Sequence, residues 1–272
     1  MPELTSIPGL FDTIHVVDSF PARKVFACGK LQGSMTLDPQ ADQVYPNCPP
    51  GPGPVTTITY QLAWLMAGVR HPHGCGLMLG LGAGSGAVAL LHHFPQLSLQ
   101  VVEIDPAMIR VAREYFPLVH HFERQGRLEI INANAVDFAS ASATLYDFAL
   151  IDISIDAADA QMQILSRTFS EAVMRIAGEV WINALTAKDA PFLGNLIRAY
   201  EGLTTLFSSE PLTAWLPIKR NWITTNASLD MKNLQALQPY PGLNSDSAEK
   251  ARRIYAELLT HRLSCSEICT EK

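Results

Sequence analysis

The chain has 272 residues, enough for one large domain or one domain with a small appendage. Apolar residues make up 48% and charged ones 17%, a balance that suits a well-packed enzyme and excludes a disordered chain. The formal net charge of −6 excludes a broad phosphate-tracking surface, so no nucleic acid is expected as a partner.

Met1–Val17 lacks a basic start and carries Pro2, Pro8, Asp12 and His15, so no signal peptide is expected. No stretch approaches the roughly 20 uninterrupted apolar residues of a membrane span. Five cysteines at irregular spacing fit reduced thiols in a cytoplasm better than a disulfide framework.

Residues 11–37 alternate in short pieces, DTIHVV, RKVFAC and LQGSMTL, set apart by DSFPA and by Gly29 and Gly33. This predicts a small antiparallel hairpin unit. The segment YPNCPPGPGP, residues 45–54, crowds five prolines and two glycines into ten positions. It reads as a loop or linker, which divides the chain into residues 1–54 and 55–272 and can form part of a lid. TITYQLAWLMAGVR, residues 57–70, reads as a helix with Leu62, Leu65, Met66 and Val69 on one side.

From Gly76 the rhythm becomes strand then helix. CGLMLGL is a buried strand and SGAVALLHHF a helix; LSLQVVEID and PAMIRVAREYF repeat the pair. RLEIINA and YDFALIDIS are further strands, AQMQILSRTFSEAVMRI a helix, and EVWINAL a fifth strand. Apolar strands alternating with amphipathic helices predict a parallel sheet covered on both faces. The remainder holds a helix at AKDAPFLGNLIRAYE and strands near LTTLFSS and RNWITTN. A last helix is expected from about Asp246 to His261, where Asp246 and Glu249 have capping-box spacing.

The chemistry begins at GLGAGSG, with glycines at 80, 82, 84 and 86. A strand ending in Gly-x-Gly-x-Gly that turns into a helix presents backbone N–H groups, and absent Cβ atoms let a ligand approach. NAD and S-adenosylmethionine (SAM) enzymes both use such a turn. Glu103 ends the next strand, nineteen residues past Gly84, where an acid can grip both hydroxyls of a ribose in either class. The third strand ends at Asn134, able to bond an adenine amino group, and the fourth delivers Asp152 to the carboxyl edge of the sheet.

EIDPAMIRVAREYF carries a second acid and a proline at its helix start, and this phrase resembles SAM-dependent transferases. With the N-terminal hairpins containing GKLQG, the TYQ at the head of the following helix, the glycine loop and YDFALID, the chain resembles the spermidine-synthase family of polyamine aminopropyltransferases from about residue 11 to 184. The hairpin unit followed by a YQ helix is the more telling part, since ordinary methyltransferases lack it. The resemblance implies a Rossmann-like class I SAM-methyltransferase fold: a mostly parallel seven-stranded sheet with helices on both faces and a small N-terminal antiparallel β-hairpin domain. It implies a homodimer acting on a small-molecule acceptor. It also implies a cofactor site formed by Gly80, Gly82, Ala83, Gly84, Glu103, Ile104, Asn134, Ala135, Gln32 and Gln61, and catalytic positions at Tyr60 and Asp152. A carboxylate can orient an amine and accept its proton, while a phenol can fix its lone pair in line.

Departures from the family bear on the donor. Where aminopropyltransferases carry an acid in a GGGDGG loop, this chain has Ala83. Where they have a DSSDP-like run it has DISIDA, with the second acid at Asp156 and no proline. Where they have a PTYPSG-like segment it has PLTAWLPIKRNWITTN, with Lys219 and Arg220. A dicationic polyamine favours a carboxylate-lined site, so ordinary SAM is expected ahead of decarboxylated SAM. Methyl transfer stands first and aminopropyl transfer second. Aminocarboxypropyl transfer, cyclisation and a non-catalytic binding protein complete the alternatives.

Other constellations are weaker. His71, His73 and Cys75 lie too close together in one turn to complete a tetrahedral site, so no metal is expected. His92 and His93, and His120 and His121, read as helix-end or surface residues, with His120 or His121 within possible reach of the site as a base. Cys265 and Cys269 read as free thiols. Trp215 and Trp222 flank the basic IKR and either wall an acceptor pocket or pack on the sheet edge.

Overall fold

The alternating N-terminal pieces pair as one antiparallel sheet, ordered β1 (Glu3–Pro8), β2 (Thr13–Ser19), β3 (Ala22–Ala27), β4 (Lys30–Asp38) and β5 (Gln43–Pro46). The computed structural model describes residues 3–19, 22–38, 43–46, 64–153, 164–186, 191–200, 202–203, 205–208, 220–227 and 262–264. The β3–β4 turn is Cys28–Gly29, both at positive φ (52° and 67°), the two-residue hairpin geometry that matches strand twist. The Cys28 N–H donates to Asp12 Oδ2 at 2.7 Å. One irregularity matters later. Val25 pairs with Gly33 and Phe26 with Leu31, so Gln32 is an extra residue, a β-bulge.

The second sheet runs β13-β11-β12-β10-β9-β6-β7-β8. Its strands are β6 (Cys75–Leu79), β7 (Ser98–Glu103), β8 (Leu128–Asn132), β9 (Tyr146–Ile151), β10 (Ala177–Thr186), β11 (Thr205–Ser208), β12 (Arg220–Thr225) and β13 (Arg262–Ser264). The five strands from β10 to β8 are parallel, and β12, β11 and β13 join by antiparallel pairing. Among the described residues this sheet has eight strands where seven are expected. Three residues, Arg262–Ser264, add β13 to the edge of β11, too short a run to show a period of two but enough to cover an open edge. Strand order reverses at β6, with β7 to one side and β9 to the other, so a switch point opens at the carboxyl ends of these strands.

Helix α1 (residues 64–70) is followed by α2 (Ser85–His93), α3 (Pro106–Tyr115) and α4 (Pro117–Arg124). Then come α5 (Ala135–Ala141), α6 (Arg167–Ile176) and α7 (Pro191–Ala199). Two differences have local causes. Of the helix expected over 160–176, residues 160–163 lie outside the described residues, Ile164 is helical, and α6 starts anew at Arg167, where the Ser166 hydroxyl accepts from Phe169 N–H at 3.2 Å and caps it. Helices α4 and α5 were not expected. Pro117 opens α4 directly after Phe116, and Asn134 caps α5. The last expected helix, residues 246–261, lies outside the described residues, as do positions 47–63 with most of the Pro-rich segment.

Alternation along β6 sorts the two faces. Met78 joins a core with Trp64, Val88, Leu90, Val111, Val119 and Phe148, and Leu77 and Leu79 join one with Val102, Ile151, Phe169 and Val173. Ile14, Val16, Val25 and Met35 of the small sheet belong to the first of these cores, so that sheet shares its interior with α1 to α4. At the amino ends of the parallel strands Glu179 receives Arg70 at 2.5 Å and lies 3.3 Å from His71 Nε2, and His71 stacks on Phe148. His71 thus sits at the end of the sheet opposite the glycine loop.

Helix α3 is held by the small sheet at both ends. Asp105 Oδ1 caps it through Ala107 N–H at 2.8 Å, while Oδ2 accepts from Leu10 N–H at 2.8 Å. Arg23, paired with Asp18 at 2.7 and 2.9 Å, donates to the Tyr115 carbonyl at 3.1 Å. Asp105 is buried, so Asp105→Ala loses a cap and leaves the Leu10 amide without its anion. We expect about 2–3 kcal/mol lower stability in urea unfolding and faster hydrogen exchange at Leu10; exchange unchanged there would contradict the latch.

Candidate active site

Past Leu79 the chain turns through Gly80 (φ 99°), Gly82 (φ 52°) and Gly84 (φ 77°) into α2. Positive φ explains glycine at all three, and space explains two of them further. A Cβ at Gly80 would lie 2.3 Å from the Asp152 carbonyl oxygen, and one at Gly82 would lie 2.3 Å from the Gln32 carbonyl oxygen. The loop is therefore wedged between the end of β9 and the bulge of β4. Ala83 completes the wedge. It has no exposed surface, its N–H points to the Gln32 carbonyl at 3.4 Å, and a Cβ on Gly33 would fall 2.7 Å from its own. Gln32 meets the loop through its backbone, while its side-chain amide donates to the Ala27 carbonyl at 3.1 Å.

Glu103 ends β7 facing this turn. Its Oε2 accepts from Leu81 N–H at 2.9 Å and its Oε1 from Asp105 N–H at 2.9 Å. Burial raises its pKa, and those backbone N–H groups pull it back down. A carboxylate has about four lone-pair sites, so two remain for a diol. The adjacent Ile104 is 37% exposed, a flat apolar surface beside the acid. Sequence reasoning missed Asn132, whose amide donates to the carbonyls of Glu103 (2.9 Å) and Ile104 (3.0 Å) and fixes the bend after β7.

Asn134 and Ala135 lie at the start of α5, both half-buried. The Asn134 Oδ1 accepts from Val136 N–H at 2.8 Å, so capping already uses the oxygen assigned to adenine, with one lone pair left over. His120 and His121 are exposed on α4, and His121 pairs with Gln125 at 2.9 Å. Among the described residues no group of three or more His, Cys, Asp or Glu stands ready to hold a metal, and no helix is long and apolar enough to cross a membrane. Tyr60, Gln61, Asp156, Trp215, Lys219, Cys265 and Cys269 lie outside the described residues.

Asp152 follows β9, its N–H donating to the Leu79 carbonyl at 2.9 Å, which fixes it beside the glycine loop. Burial pushes its carboxyl up to about 6, opposed by a hydrogen bond from Asn183 Nδ2 to Oδ1 at 2.7 Å. Asn183 also escaped sequence reasoning. Its signal is the polar residue that ends the apolar run in WINAL, on the strand next to β9.

The site thus brings together Gly80, Gly82, Ala83, Gly84, the Gln32 backbone, Glu103, Ile104 and Asp152 at one edge of the sheet. Comparisons with known proteins bear on the family. Over 82 residues the chain is 33% identical to the eEF1A lysine and N-terminal methyltransferase of Bos taurus, covering 28% of this chain and 11% of that protein. Over 145 residues it is 28% identical to polyamine aminopropyltransferase 1 of Streptomyces coelicolor, covering 50% of this chain and 27% of that enzyme. The matches therefore span well under two thirds of these relatives' own lengths. Among solved structures, a probable spermidine synthase from Corynebacterium glutamicum superposes over 100% of this chain and 95% of its own (TM-score 0.66, 17% identity). A spermidine synthase from Thermotoga maritima covers 95% and 87% (TM-score 0.60, 15% identity). At such identities these two show the fold alone. The model of the spermine/spermidine synthase domain matches residues 70–233, more than half of the chain, and the protein belongs to that family.

Proposed function

We propose that the protein is a transferase that moves a group, a methyl in first place, from SAM to a small amine held at Asp152. The observation that carries this reading is the meeting of the glycine loop, Glu103 and Asp152 at the switch point of the sheet. The loop suits this donor better than a pyrophosphate. Its amides at Gly80, Leu81, Ala83 and Gly84 are already directed to Val102, Glu103, Gln32 and Leu81, leaving few for phosphate oxygens. The free lone pairs of Glu103 fit the ribose hydroxyls, and the exposed face of Ile104 fits an adenine.

When bound, SAM supplies a carbon on a positively charged sulfur, which leaves as a neutral thioether with the electron pair of the broken bond. The chain's residues supply position and a proton acceptor. An amine that has formed its new bond to carbon carries an extra proton, and the Asp152 carboxylate takes it. Asn183 takes one lone pair of Oδ1, which leaves the other lone pair of Oδ1 and the whole of Oδ2 for the nucleophile. The family resemblance adds Tyr60 as the phenol that fixes the nucleophile's lone pair.

Ala83 favours methyl over aminopropyl transfer. The family's loop acid, which would hold the amine tail of decarboxylated SAM, is absent, and the methyl of Ala83 is packed against Gly33. A specific observation keeps the second reading alive: the fold matches spermidine synthases over nearly the whole chain.

Incubation with SAM, and separately with decarboxylated SAM, against an amine panel decides between the two by mass spectrometry. We expect S-adenosylhomocysteine from the first; methylthioadenosine from the second alone would assign aminopropyl transfer instead. Activity should rise with pH through about 6, as Asp152 becomes an ionised base, and Asp152→Asn should lower kcat by about 10²–10⁴. Stability should move the other way. A carboxyl with a raised folded-state pKa binds its proton more tightly when folded, so stability is greatest below the ordinary carboxylate range and falls as pH rises through about 6. Asp152→Asn, which keeps an oxygen for Asn183, should therefore stabilise the unliganded protein by about 2 kcal/mol at pH 8 and by nothing measurable near pH 4 in denaturant titrations.

A further inference from the structure

Asn183 is 9% exposed, and only half of its amide is satisfied. The Nδ2 end donates to Asp152 Oδ1 at 2.7 Å, while Oδ1 is buried and has no hydrogen-bond partner among the described residues. Buried polar atoms are nearly always paired, so an orphan beside a candidate site asks for a donor from elsewhere. Its place is bounded by covalent geometry. The oxygen and nitrogen of an amide are about 2.2 Å apart, so Asn183 Oδ1 lies within about 5 Å of Asp152 Oδ1. Two acceptors that each receive an N–H of one tetrahedral nitrogen at about 2.9 Å stand about 4.7 Å apart. That spacing falls inside the bound, so one nitrogen that bears two hydrogens can reach an anionic and a neutral acceptor placed as these are.

We propose that Asp152 and Asn183 form a two-acceptor clamp that selects a nitrogen nucleophile carrying at least two N–H bonds. This deepens the transferase reading and rests on Asp152 being the group that holds the acceptor. Asn183 is then a specificity-determining residue: its donor half turns the carboxylate, and its acceptor half reads the second N–H. A hydroxyl or thiol has one hydrogen to offer and leaves the amide oxygen unpaired. So does a tertiary amine. Rejection of such groups follows from the cost of an unpaired buried acceptor rather than from lack of room.

The probe is a series of constant charge and decreasing N–H number, used at pH 8: butylammonium, N-methylbutylammonium, N,N-dimethylbutylammonium and N,N,N-trimethylbutylammonium. Binding to the protein saturated with S-adenosylhomocysteine is followed by NMR at the backbone amides of Ile151–Ile153 and Ile182–Ala184, which every variant keeps. Kd should rise at least about tenfold between the second and third members, where the N–H count falls below two. In Asn183→Leu the four should bind within about twofold of each other, and Asn183→Gln should restore part of the step. A wild-type protein that treats the series alike, or binds none of it, overturns the clamp, as does a step that survives in Asn183→Leu. Where the leucine variant fails to fold, the wild-type series alone decides. Binding of S-adenosylhomocysteine is measured first. Its absence tells against the transferase reading, and the same series on the free protein still judges the clamp, whose two groups belong to the fold itself.

Discussion

The glycine loop can take its shape only because two other segments of backbone lean on it. The Asp152 carbonyl presses on Gly80 from one side and the bulged Gln32 carbonyl presses on Gly82 from the other, each closer than any Cβ would permit. A side chain at either glycine would part the loop from β9 or from the small sheet. The first break would move Asp152, and the second would release β4 from Ala83. The three segments are far apart in sequence and meet only here, so the site is a property of the whole fold. Close approach of backbone holds it together.

Two carboxyl groups at this edge are tuned by the same burial to different ends. Burial raises Glu103 as well, and two backbone N–H groups oppose that shift while presenting the group as an acceptor suited to a sugar. Asp152 receives one side-chain amide and ionises near 6, which lets it exchange a proton close to neutral pH. Sequence alone gives each the same description, an acid at a strand end. The difference lies in who donates to them.

What was legible and what was not divides along physical lines. Glu103 and Asp152 could be read because parallel strands deliver their last residues to one edge, and the hydrophobic period marks where each strand ends. Gln32 is expected beside the cofactor; its carbonyl meets Gly82 and Ala83, brought there by a bulge whose only trace in the sequence is the glycine that follows. Asn183 was hidden in an apolar strand, since its partner depends on β10 lying beside β9 in a given register. Helices α4 and α5, of eight and seven residues, are too short for a period of 3.6 to declare itself. Ala83 is expected where the family carries an acid. The structure adds that Gly33 has no side chain where an acid at 83 would need room, so the two small residues fit as a pair.

The shared core of the small sheet has a consequence for biosynthesis. Ile14, Val16, Val25 and Met35 pack against residues such as Leu90, Val111 and Val119. Those partners are made roughly 55 to 105 residues later, about 3 to 21 seconds at ribosomal rates of 5–20 residues per second. For that interval the first sheet has an apolar face and nothing to cover it, and the glycine loop has no second wall. The nascent chain must be kept from sticking to its neighbours until α2 to α4 arrive, and the site appears only with that docking, late in synthesis although its first wall is made early.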